Sequence, residues 1–354
     1  MNVAIVGLGA RTPVGYRAPA SAAAIRCNIR RLQLHPFIVD GEGEPIRVGL
    51  DPGLRDDQMG AVRLVVMGRS AVKEALSGLD VSRAPQLDVV LALPDRRPGF
   101  SDRTAEWVAN ELADGLLPRP VELGPSGHAG ALDALRQAAQ RIEAGHAELC
   151  VIVGIDSYLA PDTVDWLIAT ERLGGGSNPD GFALGEAGTC MVVAHRSLGY
   201  RPLAFVRGAH SAQERATIRG EEEPLGHALS AAIKGATVSL RLPEEALADV
   251  YCDLNGERYR TDEWGAAMLR TGHAFRTVDH TQTSTCVGDV GAAHGPLGCI
   301  LSVRSWARGY ANGPRALICG GSEAGLRTAV LLEESPTVRE PRPGLRWAPT
   351  KASS

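Results

Sequence analysis

The sequence predicts an α/β protein made of two similar halves. Runs such as "QLDVVLALP" (86–94) and "AELCVIVGID" (147–156) are apolar throughout rather than alternating. That pattern marks strands in a sheet covered on both faces. They alternate with segments whose apolar residues recur every three or four positions, which marks helices that provide the cover. At "SLGYRP" (197–202) the pattern weakens, and a similar order then begins again. The length, 354 residues, exceeds one minimal core and fits one large domain or two fused ones.

The first round opens with a buried strand, "NVAIVGLG" (2–9). A helix follows over 60–78, with apolar residues at helical spacing and a stop at Gly78. After the strand at 86–94 comes a helix at 101–117, with Ser101 or Asp102 as its N-cap. "RPVEL" (119–123) is short and extended. In "ELGPSGHAGALDALRQAAQRIEAG" (122–145) a loop of small residues, Gly124 to Gly127, leads into a helix of about 18 residues, with His128 at the junction. The strand at 147–156, a helix at 161–173, a glycine-rich loop at 174–188 and the strand "TCMVVAHR" (189–196) complete the round.

The second round reads strand 203–210, helix 225–240, strand into turn 247–256 and helix 261–272. A loop running into a helix over 280–309 follows, then strand, glycine turn and strand over 315–334. The expected units are residues 1–197, residues 198–336 and a Pro-rich tail, 337–354, read as a mobile tail or a wrapping arm. "DPGLRDDQMG" (51–60) and "PDRRPGF" (94–100) read as surface connections.

Bulk properties narrow the function. Apolar residues make up 44% and charged residues 22%, ordinary for a globular protein. Aromatics are 5% against 41 glycines, which points to tight packing of small residues rather than an aromatic binding surface. The net charge is −4, with no Lys/Arg-rich run, which argues against nucleic acid. No apolar run reaches the roughly 18 residues of a membrane helix. The N-terminus lacks the basic start of a signal peptide, so the expected location is the cytoplasm. Seven scattered cysteines (27, 150, 190, 252, 286, 299 and 319) show neither CxxC nor metal spacing, and read as small buried thiols in a reducing compartment. No metal and no cofactor is expected.

Three motifs invite chemistry and are better read otherwise. "VAIVGLGARTPVG" has Gly7-x-Gly9, but Thr12 stands where a dinucleotide fingerprint needs its third glycine, and Pro13 follows. A tight strand-to-loop turn is the better reading, and a nucleotide-dependent oxidoreductase rests on the damaged GxG alone. "GGGSNPDGFALGEAG" lacks the GK[ST] ending of a phosphate loop. Within it Asp180 and Glu186 are candidate acids, Glu186 equally a buried acid bonded to backbone amides. "PSGHAG" places Ser126 outside a G-x-S-x-G frame.

In order, five segments resemble the β-ketoacyl synthases of the thiolase-like superfamily. They are "VAIVGLGARTPVG", "HAGALDALRQAAQRIEAGHAELCVIVGID", "DGFALGEAG", "VGDVGAAHG" and "CGGSEAG". Together they cover about residues 2 to 335. The resemblance implies a thiolase-like fold: two similar βαβαβαββ halves in a five-layer α-β-α-β-α arrangement. It implies a homodimer, formed partly by "RPVEL". It also places the departures on the chemistry. His128 stands where the family has its nucleophilic cysteine, Asn255 and Asp289 where it has two histidines, and Ser284 where it has a lysine.

Two functions are expected from this pattern. One is a non-condensing accessory protein or partner subunit, associated with type VI secretion or an acyl carrier protein. Here His128, Asn255 and Asp289 are a satisfied polar remnant. The other is a divergent acyltransferase in which His128 and Asp289 act on a proton and Asn255 donates to an oxyanion. Cys252, Cys286 and Cys319 fall near the same inferred pocket and read as packing residues. Arg96 and Arg97 are candidates to meet an acidic partner, with a solvated loop as the plainer role.

Overall fold

The computed structural model describes residues 2–340, apart from 56, 57, 85, 118–120, 176, 177, 219, 221, 223, 224 and 278. The first half runs β1 (Val3–Arg11), α1 (Ala18–Arg26), β2 (Leu32–Val39), β3 (Pro45–Gly49), α2 (Ala61–Leu76), β4 (Leu87–Ala92) and α3 (Asp102–Ala113). It continues through β5 (Glu122–Leu123), α4 (Gly130–Glu143), β6 (Leu149–Ser157), α5 (Pro161–Ala169) and β7 (Glu186–His195). The second half is β8 (Ala204–Gln213), α6 (His227–Thr237), β9 (Asp249–Cys252), α7 (Arg258–Thr271), β10 (Thr281–Gln282), α8 (Ser284–Val287), α9 (His294–Arg308), β11 (Arg315–Gly321) and β12 (Leu326–Glu334).

Ten strands form one sheet, in the order β10-β9-β11-β12-β8-β1-β7-β6-β4-β5. Its two arms repeat one pattern. Counted within each arm and read inward from the edge, the order is third, second, fourth, fifth, first. In both arms the fifth strand runs antiparallel to its neighbours, and the remaining pairs are parallel. The two arms join through a short β1–β8 ladder, where Ala4 pairs with Phe205 and Ile5 with Ala204. Around this narrow join the apolar surface divides into layers. One core holds α2 and α3 against the first arm, a second holds α6 and α7 against the second arm, and the largest wraps α1, α4 and α9 between the arms. The order is therefore helix, sheet, helix, sheet, helix. A small fourth core packs the β2–β3 hairpin against α5.

The Gly7-x-Gly9 spacing serves this packing. A Cβ on Gly7 would lie 2.2 Å from the Ala75 carbonyl oxygen, and one on Gly9 2.0 Å from that of Ala71. Both glycines let α2 lie directly on β1, and the chain then turns through reciprocal Thr12–Gly15 backbone bonds.

Several expectations change. The helix after His128 spans 14 residues from Gly130. Gly127 and Gly130 close a turn first, Gly130 donating to the Gly127 carbonyl. The strand expected from Thr189 begins at Glu186, because the end of the glycine-rich stretch pairs with β6. Helix α1, rich in alanine without a clear period, and the Pro36-interrupted hairpin went unforeseen. Asp51, in an expected surface connection, is buried and accepts from Arg11 Nε at 2.5 Å. Residues 341–354 of the expected tail lie outside the described residues. Of its first four residues Val338 is buried and Glu340 pairs with Arg304 and Arg308, while Thr337 and Arg339 are exposed.

Candidate functional site

The loop from Gly124 to Gly127 is held in place from both halves of the chain. Gly127 has φ 72°, and a Cβ there would strike Asp95 Oδ2 at 2.2 Å. Only glycine meets both demands. Ser126 Oγ donates to Asp95 Oδ1 at 2.9 Å. From the turn after β11, Ser322 Oγ donates to the Ser126 carbonyl at 2.6 Å and accepts from the Ala129 amide at 3.1 Å. A donor at the head of α4 is thus satisfied by the second half of the chain.

This framework presents His128 to the middle layer, and all three residues expected at the site come together there. His128 Nε2 lies 2.7 Å from Asp289 Oδ1. Asn255 Nδ2 donates to Asp289 Oδ2 at 2.6 Å and to Glu257 Oε2 at 2.9 Å. The Gly291 amide also donates to Asp289 Oδ1, at 2.8 Å. On the other side of the ring, Arg260 Nη2 lies 3.2 Å from His128 Nδ1. A guanidinium can only donate, so Nδ1 accepts and the ring proton sits on Nε2, pointing at Asp289. His128 and Asp289 are 3% and 4% exposed, so water reaches neither freely.

A ring of charge surrounds this contact. Arg260 Nη1 donates to Asp253 Oδ2 at 2.6 Å and to the Gly321 carbonyl at 2.9 Å. Arg172 grips Glu257 at 2.7 and 3.1 Å and Glu323 at 2.8 Å. Arg97 donates to Asp156 at 2.6 Å, and its guanidinium carbon lies 3.9 Å from the Tyr158 ring centroid. Arg97 is therefore largely buried, anchored by Asp156. Arg96 is exposed and pairs with Asp102.

Burial alone would push Asp289 upward, but His128, Arg260 and the Gly291 amide hold it far below the usual carboxylate range. Asp253 is likewise held low, by Arg260 and the nearby histidines, against its own burial. For His128, burial and Arg260 oppose a second proton while Asp289 and Asp253 favour one, and the balance lies above the ordinary imidazole value. Such a proton on Nδ1 would displace Arg260, since neither group could then accept. Burial lowers His294, whose Nε2 donates to the Cys319 carbonyl at 3.0 Å.

Other expected residues lie elsewhere. Ser284 Oγ donates to the Leu254 carbonyl at 2.8 Å. Cys252 and Cys319 sit in the outer core under α6 and α7, and burial pushes both thiols far up. Cys286 belongs to the central core. Glu186 is fully buried and bonds Arg63, the Asp51 amide and Ser157, while Asp180 is exposed in a turn. Sequence reading missed Arg260, Asp253, Glu257 and Arg172, although Glu257 and Arg260 stand two and five places after Asn255. Among the described residues no group of three His, Cys, Asp or Glu could hold a metal ion.

The same architecture occurs in solved structures. An oxazolomycin ketosynthase domain from Streptomyces albus superposes with a TM-score of 0.74 at 16% identity, over 94% of this chain and 74% of that one. The chain has the thiolase-like fold of the ketosynthases. A second ketosynthase of this fold, from a type II polyketide synthase and solved with its acyl-carrier protein, gives 0.77 at 14% identity, over 94% and 99% of the chains. A β-ketoacyl synthase from Burkholderia phymatum gives 0.73 at 14%, again over 94% and 99%. No family model matches this ketosynthase-fold chain by sequence, and no curated protein does.

Proposed function

We propose that this ketosynthase-fold chain is a non-condensing accessory or partner protein that works through what it binds. One observation carries the reading: both ring nitrogens of His128 are committed to buried charged groups, Asp289 and Arg260. A general base needs a lone pair facing substrate, and this ring has none to offer. Asn255 supports the same reading, since its amide nitrogen already donates to two carboxylates and has no hydrogen left for an oxyanion. In this reading the positions that depart from the ketosynthase pattern, His128, Asn255, Asp289 and Ser284, are structural.

The partner is a second protein, a secretion effector of the type VI kind or an acyl carrier protein, met in the cytoplasm. The chain pairs with itself through β5, which ends the sheet with an unpaired edge and leaves Leu123 exposed. Its units divide at residues 197 and 198, between β7 and β8. Among the described residues no helix is long and apolar enough to cross a membrane.

The His128–Asp289 contact also favours a second reading, a divergent acyltransferase with a reoriented imidazole. It requires Arg260 to leave Nδ1 when substrate arrives. Intact-protein mass spectrometry with acyl and malonyl thioesters, with thioester consumption followed alongside, separates the two. The accessory reading expects neither adduct nor consumption. An adduct, or turnover abolished in His128→Ala, overturns it.

A further inference from the structure

The hairpin β2–β3 and helix α5 enclose a groove of about 690 Å³, remote in role from the His128 cluster. Its walls include Ile38, Leu50, Leu54, Leu159, Val164 and Ile168. At its mouth Phe37 is 84% exposed and Met59 57%. Isolated apolar side chains on a surface are ordinary, but a lined concavity of this volume is of the kind that receives a ligand or an anchoring side chain.

The mouth is built rather than loose. The β2–β3 ladder breaks between Leu34 and Val39, around Pro36. His35 Nδ1 accepts the amides of Phe37 and Ile38, at 3.2 and 3.0 Å, and so ties the irregular stretch to itself. Phe37 points outward from this stretch of β2.

Charge identifies the occupant. Asp165 lines the groove, and Asp40, Glu42 and Glu171 line an adjoining hollow of about 390 Å³ that shares Ile168 with it. None of these four carboxylates forms an ion pair among the described residues. The cation bordering the groove, Arg63, is spent on Glu186. Arg47 stands in register with Leu34, one place from the groove-lining Gln33, and so faces the other side of the hairpin.

We propose that this groove docks an amphipathic helical segment of a partner protein, with large apolar side chains on one face and lysine or arginine along its flanks. Apolar anchors fill the concavity and the flanking cations meet the carboxylates left without counter-ions. A segment with acidic flanks is repelled. The site is separate from His128, so thioester assays do not bear on it.

A short fluorescein-labelled amphipathic helix of leucine and lysine, and its leucine–glutamate counterpart, are titrated with the full chain and followed by anisotropy. The lysine peptide is expected to bind saturably and more weakly as salt rises, and the glutamate peptide not to bind. Phe37→Ser and the double variant Asp165→Lys, Glu171→Lys are each expected to weaken binding about tenfold. Circular dichroism checks that they remain folded, and both alter exposed positions. Equal binding of the two peptides, or binding that ignores these substitutions, overturns the proposal. So does the neutral dye Nile red occupying the groove without displacement by the lysine peptide. A dimer in sedimentation that Phe37→Ser dissolves overturns it too, by assigning the groove to a second copy.

Discussion

The charge around His128 and the charge around the hairpin groove are opposite solutions in one molecule. At His128 the buried acids each have partners: Asp289 has a histidine, an asparagine and an amide, Asp253 an arginine, and Glu257 and Glu323 share Arg172. At the groove four carboxylates stand near solvent without a cation among the described residues. A charge taken out of water must be matched or the fold fails, so matched burial reports on folding. An exposed charge costs the fold little and is free to serve recognition.

That contrast breaks first at Asp289. Replacing it with alanine leaves the His128 Nε2 proton and one of the two Asn255 amide hydrogens without an acceptor, and the expected loss is about 3–5 kcal/mol in chemical denaturation. A loss as small as a surface substitution's would mean that water already reaches the cluster. The next effect is acid sensitivity. Asp289 and Asp253 are held below their ordinary values, so the unfolded chain takes up more protons as pH falls through about 4. Their stabilisation is complete above that pH and is lost as pH falls towards their folded values. In denaturation series the gap between the wild type and Asp289→Asn should therefore narrow with acidification.

A finer test concerns His128 alone. Arg260 is a cation against Nδ1, so Arg260→Gln is expected to move the His128 titration upward in NMR. An unchanged midpoint would break the Nε2–H assignment. The smallest effect belongs to the groove. Asp165→Asn and Glu171→Gln should change stability by no more than about 0.5 kcal/mol in the same denaturation assay. A substantial loss would show that those acids serve the fold, as Asp289 does.

Much of this was legible in the sequence. The apolar runs at 86–94 and 147–156 became β4 and β6 because strands covered on both faces need no alternation. His128, Asn255 and Asp289 meet although 161 residues separate the outer two, and ordered motifs rather than periodicity placed them. Arg260 could not be read that way. It lies in the first turn of α7, "RYRTDEWG", where no apolar stripe separates inside from outside. Its burial follows from three acceptors, Asp253 seven places earlier and the distant Gly321 carbonyl and His128 ring. The hairpin escaped for another reason. Pro36 removes a ladder donor, and His35 Nδ1 accepts the Phe37 and Ile38 amides in place of a cross-strand carbonyl, so the alternation fails where Phe37 is pushed out.

The pairing of β1 has a consequence for synthesis. Val3 finds its partner at His195, and Ile5 its second neighbour at Ala204. A ribosome adding roughly 5–20 residues per second needs on the order of 10–40 seconds to supply that first partner. For that interval "VAIVGLGA" is a β-prone, uncharged segment with both edges open, the kind of stretch that seeks a stranger's strand. The chain's yield in the cell should then depend on how quickly residues 180 to 205 follow, and on what shelters β1 until they arrive.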